Sequence, residues 1–127
     1  MRALPLPALI IAASYAAAPA MTLAEPWHCR FTVECAASLG CETAGFDARL
    51  IAADHAGELF LSTAMGDSPI IRLTPQGLLP ASYAGTSRSA TAELVTIAAD
   101  RTAIMSLHLF DGEATAITYF GTCEELT

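Results

Sequence analysis

Nine consecutive residues, Trp27-His28-Cys29-Arg30-Phe31-Thr32-Val33-Glu34-Cys35, alternate without a break: odd positions are apolar or cysteine, even positions are polar. Successive side chains on an extended strand point to opposite faces, so the pattern predicts a half-buried β-strand. Trp27, Cys29, Phe31 and Val33 are expected to face a core, and His28, Arg30, Thr32 and Glu34 to face water. Two of the four cysteines lie on this strand, so its geometry limits the covalent framework as well.

The remaining sequence predicts more of the same. Residues 46–53, with Phe46, Ala48, Leu50 and Ala52 on one face, and 58–63, with Leu59 and Leu61 inward, read as strands around the turn Asp54-His55-Ala56-Gly57. A second turn is expected at Gly66-Asp67-Ser68-Pro69, followed by a short strand at 70–74. Residues 78–84 form a weak strand, with Pro80 pointing to an edge. Residues 92–99, 103–110 and 114–122 are strong strands with tight polar connections. The tetrad Ile51-Ala52-Ala53-Asp54 recurs as Ile97-Ala98-Ala99-Asp100, which fits two hairpins sharing the same aspartate turn chemistry. No segment sustains the three-and-four apolar spacing of a helix. The fold class is therefore all-β, a small antiparallel barrel of seven or eight strands, with a β-sandwich as the alternative. Ile51, Phe60, Ile70, Ile104, Phe110 and Phe120 fall on the parity opposite to the inward sets. A second covering sheet, an exposed partner surface or a one-residue slip of register would each produce this.

The first 24 residues read as a leader. Met1-Arg2 is a positive start, residues 3–20 are uncharged and largely apolar, and Thr22-Leu23-Ala24 places small residues where a signal peptidase reads. The expected division is a signal peptide at 1–24 and a single β-domain at 25–127, with cleavage after Ala20 as the alternative. Pro5, Pro7 and Pro19 interrupt the run, and a spanning helix needs ~20 apolar residues, so no stable membrane anchor is expected after cleavage. What remains is about 100 residues, enough for one domain. Arg2 leaves with the leader, so the mature domain is one unit more negative than the −7 of the full chain. There is no lysine and no asparagine. An acidic domain of this kind lacks the positive charge that nucleic acid or anionic lipid requires. A composition without lysine or asparagine is consistent with a GC-rich bacterial genome, and the expected location is periplasmic or secreted.

All four cysteines, Cys29, Cys35, Cys41 and Cys123, follow the leader. An even number in a small exported domain reads as two disulfides. The spacing is not that of a zinc ribbon, and no metal or other cofactor is expected. A Cys29–Cys35 bridge is incompatible with a continuous strand, which would separate the two by ~20 Å where a disulfide tolerates less than ~7 Å. Two pairings remain, Cys29–Cys123 with Cys35–Cys41, or Cys29–Cys41 with Cys35–Cys123. Loop-closure entropy does not separate them. Geometry favours the first: Cys35 and Cys41 flank a small-residue turn, and Cys29 and Cys123 point inward from the first and last strands, which adjoin if a barrel closes.

No catalytic constellation is legible. His28 falls on a polar strand face, His55 in a turn and His108 on an outer face beside Ser106, none next to a nucleophile with an orienting third group. Glu34 and Glu42 flank the cysteine turn and Glu124-Glu125 lie near the C-terminus, where they are expected to be solvated. The chain is therefore not expected to be an enzyme.

An early Trp-x-Cys, a Cys-x5-Cys and a final Tyr119-Phe120-Gly121-Thr122-Cys123-Glu124 resemble small secreted disulfide-containing β-proteins of bacteria. A fainter similarity, in the early aromatic-x-Cys and the late Cys, is to periplasmic inhibitors of c-type lysozymes. Their Ser-Gly-x-x-Tyr loop has at most a partial echo here in Ala84-Gly85-Thr86-Ser87. These resemblances imply a disulfide-linked β-fold without catalysis. The expected role is a protein-binding or structural module whose partner is a periplasmic or envelope protein; a small-ligand carrier and an enzyme inhibitor are the alternatives. Trp27, Phe31, Phe46, Leu59, Leu61, Leu107, Leu109, Ile117 and Tyr119 together offer enough bulk to fill a barrel of this size, which argues against a cavity.

Overall fold

The structure is a computed structural model that describes residues 3–4, 10–12, 26–52, 58–85, 91–110 and 112–126. Eight strands follow in order: β1 (Trp27–Ala36), β2 (Gly40–Ala52), β3 (Leu59–Thr63), β4 (Gly66–Arg72), β5 (Ala81–Gly85), β6 (Thr91–Ile97), β7 (Thr102–Phe110) and β8 (Ala114–Glu125). Each pairs antiparallel with the next, and β1 pairs with β8, so the sheet closes into an up-and-down barrel. Closure removes both sheet edges and leaves no second sheet, so the sandwich alternative is excluded.

The alternation in β1 holds only as far as Phe31. Trp27, Cys29 and Phe31 are buried, with Ala48, Leu50, Leu61, Ile70, Val95, Ile97 and Met105 around them. Between Phe31 and Val33 the register shifts against both neighbouring strands. This β-bulge moves one residue out of step. Val33, expected inside, is 37% exposed. Glu34, expected in water, is half-buried and pairs across with Tyr119, whose ring stacks on Phe46 at 5.1 Å. A sequence cannot announce a bulge by alternation, because the polar–apolar pattern continues through it.

Gly121 accounts for the bulge on the β8 side. A side chain there would run into the Arg30 carbonyl and the Phe31 backbone. Only glycine lets β1 and β8 approach this closely. The seam is joined at its core by a disulfide between Cys29 and Cys123, directly opposite each other with Cα atoms 4.0 Å apart. Cys35 and Cys41 are likewise opposite and bridged, next to the β1–β2 turn.

Two other expectations are corrected. The segment Gly66-Asp67-Ser68-Pro69 is not a turn but the first half of β4; the chain reverses at Ala64-Met65 instead. That extension also fixes the parity of β4, so Ile70 is core, at 4% exposure. Ile104 and Phe110 do lie outside, at 46% and 63% exposure, with Phe120 beside Ile104. Of the repeated tetrad, only the second copy has a described turn, where Asp100 Oδ1 accepts from the Thr102 backbone N–H and hydroxyl.

Candidate functional site

The two ends of the barrel are built differently. At the end holding the chain's entry into β1, the interior is plugged. Arg72 occupies an inward position on β4, and its guanidinium donates to the carbonyls of Thr74, Pro75 and Leu78 and to the Tyr83 hydroxyl. It also lies over the Tyr83 ring, 5.5 Å from the centroid. These bonds hold the β4–β5 connection across the opening, and Leu79 packs from it onto the core. Arg101 covers the Trp27 indole at 5.2 Å and pairs with Glu125.

The opposite end is open. Beyond Phe31 and Met105 the interior widens into a cup of about 290 Å³ lined by Phe46, Leu61, Met105, Leu107, Leu109 and Tyr119, with Thr63, Ser68 and Thr91 supplying hydroxyls. The expectation of a filled interior is therefore wrong for this half. Leu107, Leu109, Ile117 and Tyr119 face inward but are only half-buried; their strands run to a mouth that no side chain closes among the described residues. Past the mouth the cup adjoins a broader open depression of about 1070 Å³ beside the β1–β2 and β7–β8 connections, with His108 and Glu113 on its border.

Among the described residues, one charged side chain lines the cup: Glu93, on β6. It lies in step with the buried Val95 and Ile97, so it points inward. One carboxylate oxygen accepts from the Ser68 hydroxyl. The other, Oε2, is buried against Gly85, where any side chain would collide with it, and has no hydrogen-bond partner. Loss of water raises the Glu93 carboxyl above the ordinary glutamate range, and the Ser68 hydrogen bond offsets part of this. The Trp27 indole nitrogen at the plugged end is also buried without a partner, but it is a neutral donor and far cheaper to leave so. Nearer the mouth, Glu34 accepts from the Tyr119 hydroxyl; burial first, then the Glu34 carboxylate, push that phenol up. Glu42 sits directly across from Glu34. Among the described residues the open end is thus acidic within and at its rim.

The residues singled out from sequence are scattered by comparison. His28 lies outside the barrel, between Asp47 at 3.1 Å and Glu124 at 3.5 Å, with Arg30 on the other Asp47 oxygen at 2.8 Å. Both its partners are carboxylates on the outer wall, away from the cup. His108 is exposed on β7, and His55 lies outside the described residues. Glu124 is tied to His28 on the outer wall, and Glu125 to Arg101 at the plugged end. Of the partial Ala84-Gly85-Thr86-Ser87 echo, Ala84 and Gly85 belong to β5 and the other two lie outside the described residues. Glu93 was not among the residues marked from sequence. Its signal was present: Thr91, Glu93, Val95 and Ile97 share one parity, which puts a carboxylate on an inward face.

No family model matches the chain, and no curated protein or solved structure is significantly similar to it.

Proposed function

We propose that this chain is an exported, non-catalytic binding protein that carries a small molecule in the open end of its barrel. The observation that supports this is the asymmetry of the interior: one end is plugged by Arg72, Tyr83 and the β4–β5 connection, and the other holds an apolar cup of about 290 Å³ with a few polar groups. An eight-stranded barrel is just wide enough to be filled by side chains or to hold one small ligand, and such mixed apolar–polar concavities are the usual form of ligand sites. Two disulfides suit an oxidising, extracytoplasmic compartment. With the leader at 1–24, the compartment we infer is the bacterial periplasm or the exterior.

The test is titration of the purified domain with N-phenyl-1-naphthylamine, an uncharged apolar fluorophore. Saturable fluorescence enhancement is expected, and Leu109→Trp, which sets an indole in the cup, should abolish it while the far-ultraviolet spectrum stays that of the parent. Absent enhancement, or enhancement indifferent to Leu109→Trp, would sink the carrier reading.

A second reading rests on the outer wall. The outward positions of β5, β6 and β7, among them Ala84, Leu94, Ile104 and Phe110, carry no carboxylate or guanidinium, although the chain holds thirteen acidic residues. A charge-free apolar band of this kind suits a protein partner, for instance of the envelope. Ile104→Asp should then weaken recovery of that partner from periplasmic extract and leave fluorophore binding intact.

A further inference from the structure

We propose that the cup takes an amphipathic organic cation, a small molecule with an ammonium group on an aromatic or short aliphatic body. This rests on the cup being a ligand site and adds the chemistry of what enters it. The walls dictate an apolar body: Leu61 and Met105 lie at the floor, and the stacked Phe46–Tyr119 pair forms one side. The charge follows from Glu93. Among the described residues it is the one charged group in the lining, it has no cation beside it, and its Oε2 lacks any donor.

Among the described residues no arginine stands at the cup: Arg49 takes an outward position on β2, between the buried Ala48 and Leu50, and the other three are committed elsewhere. Arg72 is bonded into the plugged end, Arg30 is paired with Asp47 and Arg101 with Glu125. A neutral occupant would strip the remaining water from Glu93 and leave a buried carboxylate uncompensated, and an anion would add repulsion. An ammonium donates to that carboxylate, and charge-assisted bonds of this type are among the strong ones. The last torsion of a glutamate is soft, so the carboxylate can turn from Gly85 toward a donor in the cup. Glu34 and Glu42 at the rim make the approach to the mouth favourable for a cation as well. Gly85 leaves room for the carboxylate in its present position, since a side chain there would press on Glu93.

The experiment is a methyl-resolved NMR titration of the disulfide-intact domain at neutral pH with three probes of matched shape: phenethylamine, 2-phenylethanol and phenylacetate. Phenethylamine should shift the methyl resonances of Leu61, Met105 and Leu107 saturably and bind about tenfold or more tightly than 2-phenylethanol, the scale of one charge-assisted bond, while phenylacetate should not bind. Glu93→Gln should bring the amine down to the affinity of the alcohol. Equal binding of amine and alcohol by the parent domain, a comparison that needs no variant, overturns the assignment of a cation yet leaves a cup that binds small molecules. A preference for the amine that survives in Glu93→Gln overturns the role of Glu93. Silence from all three probes, together with no response to the uncharged fluorophore, overturns the cup itself.

Discussion

At the scale of single residues, direction matters more than identity. Phe31 is fully buried between Phe46 and Tyr119, with ring centroids 6.1 Å away on each side, whereas Thr32, its neighbour in sequence, is exposed. Phe31→Ala should therefore lower unfolding stability by about 3–5 kcal/mol, the usual range for truncating a buried aromatic, and Thr32→Ala should change it little; paired urea melts decide. Glu93 gives a pH-dependent prediction. Burial makes its carboxyl hold a proton more tightly in the fold than in the unfolded chain. The neutral acid is thus the form the fold favours, its advantage is present below the ordinary glutamate range, and it is lost as pH rises through the raised value. At neutral pH the ionised group is a liability. Glu93→Gln should melt a few degrees above the parent at neutral pH, and the gap should close toward pH ~4, where the parent carboxyl is itself protonated. Thermal melts across that range check it, since every other titrating group is common to both proteins.

At the scale of elements, the β1–β8 seam is where local geometry and global topology meet. Its bulge needs Gly121, because the backbone of Arg30 and Phe31 occupies the space of a side chain. Gly121→Ala should cost at least the ~1–3 kcal/mol of an overpacked core and open the seam. Gly45→Ala, whose new methyl would meet only the Arg30 guanidinium at ordinary distance, is the matched control and should be nearly neutral. Amide exchange along β1 and β8 separates the two outcomes: faster exchange confined to Gly121→Ala is expected. The disulfides make a second pair. Cys29–Cys123 closes a loop across a sequence separation of 94 and Cys35–Cys41 one of 6. In the chain-entropy account these contribute about 4.7 and about 2.4 kcal/mol. Replacing both cysteines of the long bridge by serine should lower stability by clearly more than replacing those of the short one, measured by denaturant midpoint.

At the scale of the whole molecule, the barrel separates its charges. Among the described residues, the outer wall over β1, β2 and β8 carries the His28–Asp47–Arg30 and Glu124 network, the wall over β5 to β7 is nearly free of charge, and the open end is acidic. The plugged end is stabilised by bonds from Arg72 to backbone carbonyls, and on the proposed carrier function a ligand enters by the mouth. Export is the remaining whole-molecule expectation. The protein recovered from its compartment should begin at Glu25, which intact-mass measurement reads directly; a mass that retains Met1-Arg2 would mean the leader is not removed.

Much of this architecture follows from sequence alone. Alternation places a strand from Trp27, and the recurring turn residues separate seven or eight such segments, because side-chain direction on a strand depends only on parity. The same parity, carried through β6, puts Glu93 inward beside Val95 and Ile97. Closure depends on β1 finding β8 across the full length of the domain, and the one mark of that pairing in the sequence is the inward cysteine on each strand, Cys29 and Cys123. The bulge at Phe31–Val33 is invisible: the register slips against neighbours, not within the strand, and so Val33 and Glu34 trade faces without any change in pattern. The cup is decided last of all. Summed side-chain volume can say that a barrel has enough bulk to be filled, but where that bulk sits is set by the shape of the closed wall. Here the tertiary structure gathers Arg72, Tyr83 and Trp27 at one end and leaves Glu93 over empty space at the other.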